Sequence, residues 1–450
     1  MQFQLTTDFL QKIEQLIAQR DGHALKELLK EFHFADIAEI LDELKSDEAT
    51  YLVKLLESEL SSEALMELDD DVREKILDRL SPKEIAEELE EMDTDDAADI
   101  VAELDDDIQQ KVIDKIADEE HAADIVELIS YDEKSAGGMM AKELVQVNET
   151  WTVAGCVREM RNQAKNVTRV HSIYVTDKEG KLKGRLSLKD LLTASEKSKI
   201  SDVYIAKVDY VTVHTEGEEV ARIMQKYDLE AIPVIDEEGL LVGRVTIDDI
   251  VDFIKDEAEK DYQLAAGILQ DVEADDNIWQ LTRARLPWLV LGLFGGLGAV
   301  FIMQDFEEAL ENYAILFFYT PLIAAMAGNV GVQSSAIIVQ GLANDVVKGS
   351  LLNRFLKELG LSLINGIALG LLVIIFNAII GKPFDISLAI SISLLVVIII
   401  AAIIGTFVPI LLDKRGIDPA IATGPFITTS NDIFGILIFF YISKLVLGGF

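Results

Sequence analysis

Five apolar stretches of membrane-spanning length occupy the last third of this chain, at about 286–303, 314–341, 359–380, 387–412 and 420–447. They constrain the fold more than any other feature. A bilayer core offers backbone groups no water, so each stretch has to close its own hydrogen bonds as a helix. One acid, Asp432, lies in the middle of the last stretch. An ionised Asp there costs about 2.5–3.5 kcal/mol on the insertion scale, so it normally faces a water-filled path or a partner rather than lipid. The plainer alternative is an interfacial or helix-packing Asp. Asp432 is taken as the centre of an ion path.

Other residues in these stretches fit that reading. Pro321, the run Gly328-Asn329-Val330-Gly331-Val332-Gln333, Pro409 and Gly424-Pro425 are expected to interrupt helices. Broken backbone at membrane depth is tolerated where it lines a cavity or is buried in protein. Asn329, Gln333, Thr428, Thr429, Ser430 and Asn431 add polar groups, and all but Ser430 are pore-lining candidates. Arg283 and Arg285, then Lys348, Arg354 and Lys357, then Lys414 and Arg415 occupy alternate loops, while 304–312 is acidic. The positive-inside rule therefore places residues 1–280 in the cytoplasm and the C-terminus outside. Met1 opens a polar amphipathic stretch, with no signal peptide visible.

The formal net charge of −39 is almost all carried before residue 282. A region so acidic repels nucleic acid and anionic headgroups and attracts cations. The lone Cys156 excludes an intramolecular disulfide framework and a cysteine-cluster metal site.

Residues 1–135 show helical periodicity and repeat themselves. Glu67 to Leu80 matches Glu103 to Ile116, Ile37 to Ala49 matches Ile85 to Ala97, and A-A-D-I-V occurs at Ala97 and Ala122. Short similar helices of this kind stack into a superhelix. Ser81-Pro82-Lys83-Glu84 reads as a helix start. Asp runs at 69–71, 93–96 and 105–107 fit helix junctions, where a solvated face with capping acids explains most of them.

From about 139 to 254 the pattern changes to short β-branched runs alternating with helices. Gly180, Gly184, Arg185, Ser187 and Asp190 recur at constant offset as Gly239, Gly243, Arg244, Thr246 and Asp249. This duplication resembles a tandem cystathionine-β-synthase (CBS) pair. In that family the Ser/Thr-x-x-Asp can hold an adenosine ribose, which makes Ser187 and Asp190 the nucleotide-binding candidates, for ATP or another adenine nucleotide.

Asp248, Asp249, Asp252, Asp256, Glu257, Glu259 and Asp261 then crowd one helical stretch. Asp248, Asp252 and Asp256 share a face at i, i+4, i+8, where like charges repel. Such a helix is either a solvated linker or one with cations beside it. Oxygen ligands without His or Cys suit Mg²⁺ or Ca²⁺ rather than zinc.

With acidic repeats, Tyr131-DEKSAGGMM, a CBS pair, an acidic connector, five spans with P-L-I-A-A-M-A-G-N-V-G-V-Q, Asp418-Pro419 and Thr429-Ser430-Asn431-Asp432, the chain resembles the MgtE family of Mg²⁺ channels along nearly its whole length. The resemblance implies a multidomain α and α/β membrane protein. An N-terminal α-helical superhelical domain (1–135) would precede a tandem CBS α/β domain (136–254, with halves near 139–200 and 201–254). An amphipathic connecting, or plug, helix (255–280) and a five-helix transmembrane domain (281–450) would follow. It also implies a homodimer in lipid, with Asp432 paired across the two-fold axis as the Mg²⁺ selectivity site of a plasma-membrane uptake channel. One carboxylate alone cannot balance a divalent ion.

By the same resemblance, cytosolic Mg²⁺ binds between the helical domain, the CBS pair and the connector and closes the pore. Motif by motif, the regulatory positions are Glu63, Asp95, Asp99, Gly138, Glu216, Glu218, Asp228, Asp249, Asp252, Glu257, Asp261 and Asp418. The chain departs from the family in places. Glu216 stands where some members have Asp, Lys260 replaces an acid, and Val332 and Gly424 stand where some carry Asn. Oxygen-only ligands leave Mn²⁺, Co²⁺ and Ca²⁺ as alternative cargo, and an adenylate-sensing membrane receptor is the non-transport alternative. An intramembrane aspartyl hydrolase needs two carboxylates sharing a proton, whereas the sequence offers one intramembrane acid per chain and no G-x-G-D. The reading is that of a transporter, not an enzyme.

Overall fold

The computed structural model describes residues 4–165, 167, 169–270, 272, 276–307, 313–343, 351–422 and 424–448. Lys348 and most of the acidic loop at 304–312 lie outside these residues. The chain divides into two compact units, Met1–Ile254 and Lys255–Phe450.

The first unit opens with ten helices among the described residues: α1 (Thr7–Gln19), α2 (Gly22–Leu29), α3 (Phe34–Asp42), α4 (Ser46–Val53), α5 (Ser58–Met66), α6 (Asp70–Leu77), α7 (Pro82–Leu89), α8 (Thr94–Glu103), α9 (Asp106–Ile113) and α10 (Glu119–Ile129). The sequence repeats map onto equivalent elements, α6 with α9 and α3 with α7. The two A-A-D-I-V copies fall in α8 and α10, which pack on each other. None of these helices is long enough to be stable alone. Each buries its apolar face on neighbours, as Ile37, Ile40 and Leu41 do in α3 and Ile85 and Leu89 in α7. Ser81 begins α7 with a capping box. Its hydroxyl accepts from Glu84 N–H at 3.3 Å, and the Glu84 carboxylate accepts from Ser81 N–H at 2.7 Å. The Asp runs sit where helices begin, with Asp69, Asp93 and Asp105 as N-cap residues of α6, α8 and α9.

Two three-stranded sheets follow. The first contains β1 (Val145–Asn148), β2 (Ile173–Thr176) and β3 (Leu182–Leu186), with α11 (Val153–Gln163) as crossover. The second contains β4 (Val211–Thr212), β5 (Ala231–Ile235) and β6 (Leu241–Thr246), with α13 (Gly217–Tyr227) as crossover; α12 (Leu188–Thr193) lies between the sheets in sequence. In both, the first pairing is parallel and the second antiparallel. The duplicated glycines perform two different tasks. Gly180 and Gly239 turn the β2–β3 and β5–β6 hairpins at φ +85°, which favours glycine. Gly184 and Gly243 instead admit a neighbour, since a Cβ on Gly184 would lie 2.2 Å from the Ile205 carbonyl oxygen.

Helix α14 (Ile247–Ala266) starts in the first unit and continues into the second. There α15 (Ile278–Asp305), α16 (Thr320–Ala343), α17 (Leu351–Ile379), α18 (Phe384–Asp413) and α19 (Pro425–Val446) are each long and apolar enough to cross a membrane, α16 together with the 3₁₀ turn Ala314–Tyr319 that leads into it. Many apolar side chains point outward, among them Leu289, Phe294, Phe301, Leu372 and Ile375. That is the surface a bilayer or a second copy would cover. The most apolar helix, α18, is also the most buried, and it packs on α16, α17 and α19.

The expected helix interruptions are mostly absent. Pro321 occupies the first turn of α16, where its missing N–H costs nothing, and the 328–333 glycine run continues as helix. Pro409 lies inside α18 without ending it. Only Gly424-Pro425 marks a helix start, after the 3₁₀ turn Pro419–Ala422. The glycines serve contact instead: a Cβ on Gly405 of α18 would lie 2.3 Å from the Gly331 carbonyl oxygen of α16. Small residues at such crossings let helix backbones approach closely, which is how helices associate where lipid removes the hydrophobic drive. The third span also begins earlier than read from hydropathy, at Leu351, and so takes in Glu358. Asp432 is therefore not the only acid well inside a spanning helix.

Gly405→Val is expected to destabilise the membrane unit by about 1–3 kcal/mol through overpacking, seen as a lowered melting temperature of the detergent-purified protein. Gly292→Ala, with no atom near its added methyl, should melt at or slightly above wild type.

Candidate ion path and acidic clusters

Asp432 lies on α19, and its side chain faces a cavity of about 430 Å³ against α16. Ala324, Ala325, Gly328, Asn329, Val332 and Gln333 form the α16 wall; Thr428 and Asp432, one turn apart, form the α19 wall. The helical period explains the selection, since 325, 329, 332 and 333 share one face. The bare backbone at Gly328 leaves room, with Asp432 Oδ1 3.7 Å from where a Cβ would stand. Among the described residues no ion pair involves Asp432.

The polar candidates separate on this geometry. Asn329, Gln333 and Thr428 line the cavity with Asp432. Thr429 and Asn431 do not. Thr429 turns toward α15, where a Cβ on Gly295 would meet its Cγ2 at 1.9 Å. Asn431 is 1% exposed against Gly331, in the α16–α19 seam. Around α19, Asn431 lies about 100° from Asp432 and Thr429 about 60° to the other side, and these offsets turn them to Gly331 and Gly295 respectively. Val332 adds an apolar wall. Gly424 has a packing reason: a Cβ there would lie 2.0 Å from the Ala265 carbonyl oxygen, and one on Gly267 2.4 Å from Pro425 Cγ. The last turn of α14 thus lies against the start of α19. Asp418 caps the preceding 3₁₀ turn, its Oδ1 accepting from Ala420 N–H at 2.8 Å.

In the first unit, acids converge at the start of α8. Asp93, Asp95 and Glu143 present carboxylate oxygens within 4.8 Å of one another. Glu143 accepts from Thr94 N–H at 3.2 Å and Thr94 Oγ1–H at 2.9 Å, and Thr94 Oγ1 accepts from Lys142 N–H at 2.9 Å. Asp249 is held from the other side, accepting from Thr246 N–H at 3.0 Å and Thr246 Oγ1–H at 2.6 Å. Desolvation, then the charge of Asp249, pushes Asp95 well above the carboxylate range and Asp96 up to about 8. Asp99, although open to solvent on one edge, is raised to about 7 by desolvation and then by Glu133, Glu103 and Asp249. Burial and then Asp93 also raise Glu63. Arg244 reaches this cluster, 3.6 Å from Asp93, and the charge of Arg73 acts on Asp99. Negative groups crowded in this way, with oxygen ligands only, are the donor type that a hard divalent cation takes.

The structure thus brings Glu63, Asp95, Asp99 and Asp249 into one neighbourhood. Glu216 is the N-cap residue of α13 and pairs with Ser135 of the 132–138 turn that contains Gly138; Glu218 follows in the first turn. Asp228 caps the other end of α13 at φ 50°, about 18 Å away along the axis, too far to share an ion with Glu216. Asp252, Glu257 and Asp261 lie along α14, with Lys260 3.6 Å from Glu257. The sequence reading missed Asp93, Asp96 and Glu143. The first two were visible in the 93–96 run as capping acids, whereas Glu143 carries no local signal because Thr94 holds it from 49 positions away.

A second, smaller cavity of about 50 Å³ lies between the two sheets, lined by Tyr174, Arg185, Lys207, Asp209 and apolar neighbours. The Tyr174 hydroxyl is buried without a hydrogen-bond partner. Ser187 and Asp190 lie at the start of α12, where the Ser187 hydroxyl donates to Asp190 at 2.6 Å. They do not line this cavity.

Because the raised pKa values favour the protonated acids in the fold, the stability that this cluster contributes is full below the ordinary Asp value and lost as pH rises through about 8. Protection factors of the α8 amides in EDTA, taken relative to intrinsic base-catalysed exchange, should fall between about pH 6 and pH 9, and millimolar Mg²⁺ should restore them at the upper end. Protection independent of both would contradict the cluster.

Comparison with known proteins places these features in a family. Residues 320–442 match the MgtE divalent cation transporter model, 32–134 the MgtE intracellular N domain, and 136–197 and 200–256 the CBS domain. The chain is 34% identical to magnesium transporter MgtE of Thermus thermophilus, over 97% of this chain and 98% of that one. It is 35% identical to the Bacillus subtilis magnesium transporter MgtE over 70% of each. A solved structure of the cytosolic domain of the Mg²⁺ channel MgtE in complex with ATP is 36% identical, with a TM-score of 0.52, covering 54% of this chain and 99% of that one. The chain belongs to the MgtE family.

Proposed function

We propose that this protein conducts Mg²⁺ through the Asp432 cavity and that its cytoplasmic acids sense the same ion. The observation that carries the reading is Asp432 on a cavity between two spanning helices that Asn329, Gln333 and Thr428 also line. Mg²⁺ gives up water reluctantly. A hydrated ion with six waters of about 30 Å³ each needs roughly 180 Å³, and the cavity of about 430 Å³ accommodates it. Asn329, Gln333 and Thr428 then hydrogen-bond to the ion's waters, while Asp432 supplies charge.

One carboxylate balances half of a divalent ion. The proposal therefore includes a homodimer in which two Asp432 side chains face each other across the ion; a monovalent ion would leave their repulsion uncompensated. The positive-inside bias of the loops orients residues 1–280 to the cytoplasm and the C-terminus outside.

Regulation follows from mutual repulsion. Mg²⁺ among Asp93, Asp95, Glu143 and Asp249 cancels the repulsion that otherwise loosens α8 from the start of α14. The same helix ends against Gly424 and Pro425 at the start of α19. Ion binding at one end of α14 thereby biases the path beside its other end, with Glu63, Asp99, Gly138, Glu216, Glu218, Asp228, Asp252, Glu257, Asp261 and Asp418 as further regulatory positions. Removing α1–α10 should leave uptake intact and deregulated.

A nucleotide role has its own support in the unpartnered Tyr174 hydroxyl beside Arg185 and Lys207. The cavity would have to open to admit an adenine nucleotide. Lys207→Ala should weaken ATP binding in calorimetry more than Ser187→Ala, since Ser187 is engaged with Asp190.

The main test is Mg²⁺ uptake into proteoliposomes. Asp432→Ala should reduce it by at least about tenfold, equivalent to losing roughly 1.4 kcal/mol of ion stabilisation. Unchanged Mg²⁺ flux would remove Asp432 from the path, and Mn²⁺, Co²⁺ or Ca²⁺ flux exceeding that of Mg²⁺ would reassign the cargo.

A further inference from the structure

All six α16 residues on the cavity lie between 324 and 333. This segment is bracketed by two polar contacts to one other helix, α17. At one end the Tyr319 hydroxyl, immediately before α16, donates to Asn377 Oδ1. At the other end the Ser334 hydroxyl donates to Glu358 Oε1 at 2.7 Å. The pairing runs 319 with 377 and 334 with 358, the register of an antiparallel helix pair, so the contacts lie about 22 Å apart along α16.

The placement of these groups is unusual in three respects. Asn377 is fully buried, its amide nitrogen without a partner among the described residues, so its carbonyl is committed to Tyr319. Ser334 is 7% exposed and immediately follows the cavity residue Gln333. Glu358 is an acid two turns inside a spanning helix, a costly position. Arg354, one turn before it, forms no ion pair with it among the described residues, and the Ser334 hydroxyl is its recorded contact. Elsewhere α17 is fastened to α18 rather than α16, through Gly366 against Leu395 and through Gly370, whose carbonyl accepts from Ser391 Oγ–H at 2.9 Å. The α17–α18 pair thus forms a frame on which α16 packs through α18, and the two polar contacts add ties from α17 at both ends of the cavity-bearing segment.

We propose that Glu358 and Asn377 are positioning residues that fix the rotation and tilt of the 324–333 segment, and so set the spacing of Asn329 and Gln333 from Asp432 on which discrimination between divalent ions of different size depends. The inference rests on the cavity being the ion path. Neither residue touches the ion. Each acts through the hydroxyl it holds.

The experiment measures the Mg²⁺ to Ca²⁺ permeability ratio of the full chain in proteoliposomes. Glu358→Leu and Ser334→Ala should each lower the ratio by about 3- to 18-fold, the range of membrane interhelix hydrogen bonds. The double variant should fall no further than either single one. Glu358→Gln keeps the acceptor and the shape while removing the charge, so it should retain the wild-type ratio within about twofold. Tyr319→Phe should behave as Ser334→Ala; these two lose one hydroxyl each and remain informative if the Leu variant does not fold. Loss of the ratio in Glu358→Gln equal to that in Glu358→Leu would overturn the inference, because charge rather than the hydrogen bond would be responsible. Wild-type ratios in Ser334→Ala and Tyr319→Phe would also overturn it. Asp432→Ala in the same membranes separates the two failures. If it conducts normally, the cavity reading is lost; if it does not and the tie variants match wild type, only the positioning role is lost.

Discussion

Uncompensated negative charge is the constraint on which this structure depends. It occurs twice, in different solvents. At the start of α8, desolvation and then the charge of Asp249 raise Asp95 and Asp96, while Arg244 pairs with Asp93. In the membrane unit, Asp432 faces a cavity with no ion pair among the described residues. A carboxylate cluster of this kind either takes up protons or takes up a cation. A hard divalent ion satisfies both places with one chemistry, oxygen ligands at modest charge density.

Packing determines where the second site can be. The cavity exists because α16 and α19 touch through small residues and leave space beside them. Gly331 admits Asn431 and Gly405 in the seam, Gly435 admits Ala327, and Gly328 keeps the wall beside Asp432 bare. With so little hydrophobic drive between helices in lipid, glycine contacts fix the distance between the walls and polar contacts fix their rotation. Gly424 belongs to the same economy of space, since the Ala265 backbone occupies the volume a side chain would need.

Much of this was legible in the chain. Periodicity and internal repeats indicated the helical domain because short stacked helices must repeat their apolar face. The duplicated G-x-x-x-G-R-x-[ST]-x-x-D announced two equivalent sheets. Asp432 stood out because its cost in lipid demands a reason. The failures have physical causes as well. Glycine and proline in the spans read as breaks, yet Pro321 sits where a helix tolerates it and the glycines mediate contact. Asn431 and Thr429 are polar like their neighbours, but helical geometry turns them toward other helices. Glu143 joins the acidic cluster only through long-range folding, and Glu358 was excluded by a hydropathy boundary drawn one residue past it.

The central claim is that Asp432 is half of a divalent-cation site completed by a second copy of the chain. The most direct measurement is the structure of the full-length protein in lipid with Mn²⁺ replacing Mg²⁺, using anomalous scattering to locate the ion. The account predicts anomalous density on a two-fold axis between two Asp432 carboxylates, at a distance that leaves room for bound water, beside Asn329, Gln333 and Thr428. A monomer, or a dimer whose Asp432 side chains face away from each other with the ion elsewhere in the membrane unit, would contradict it.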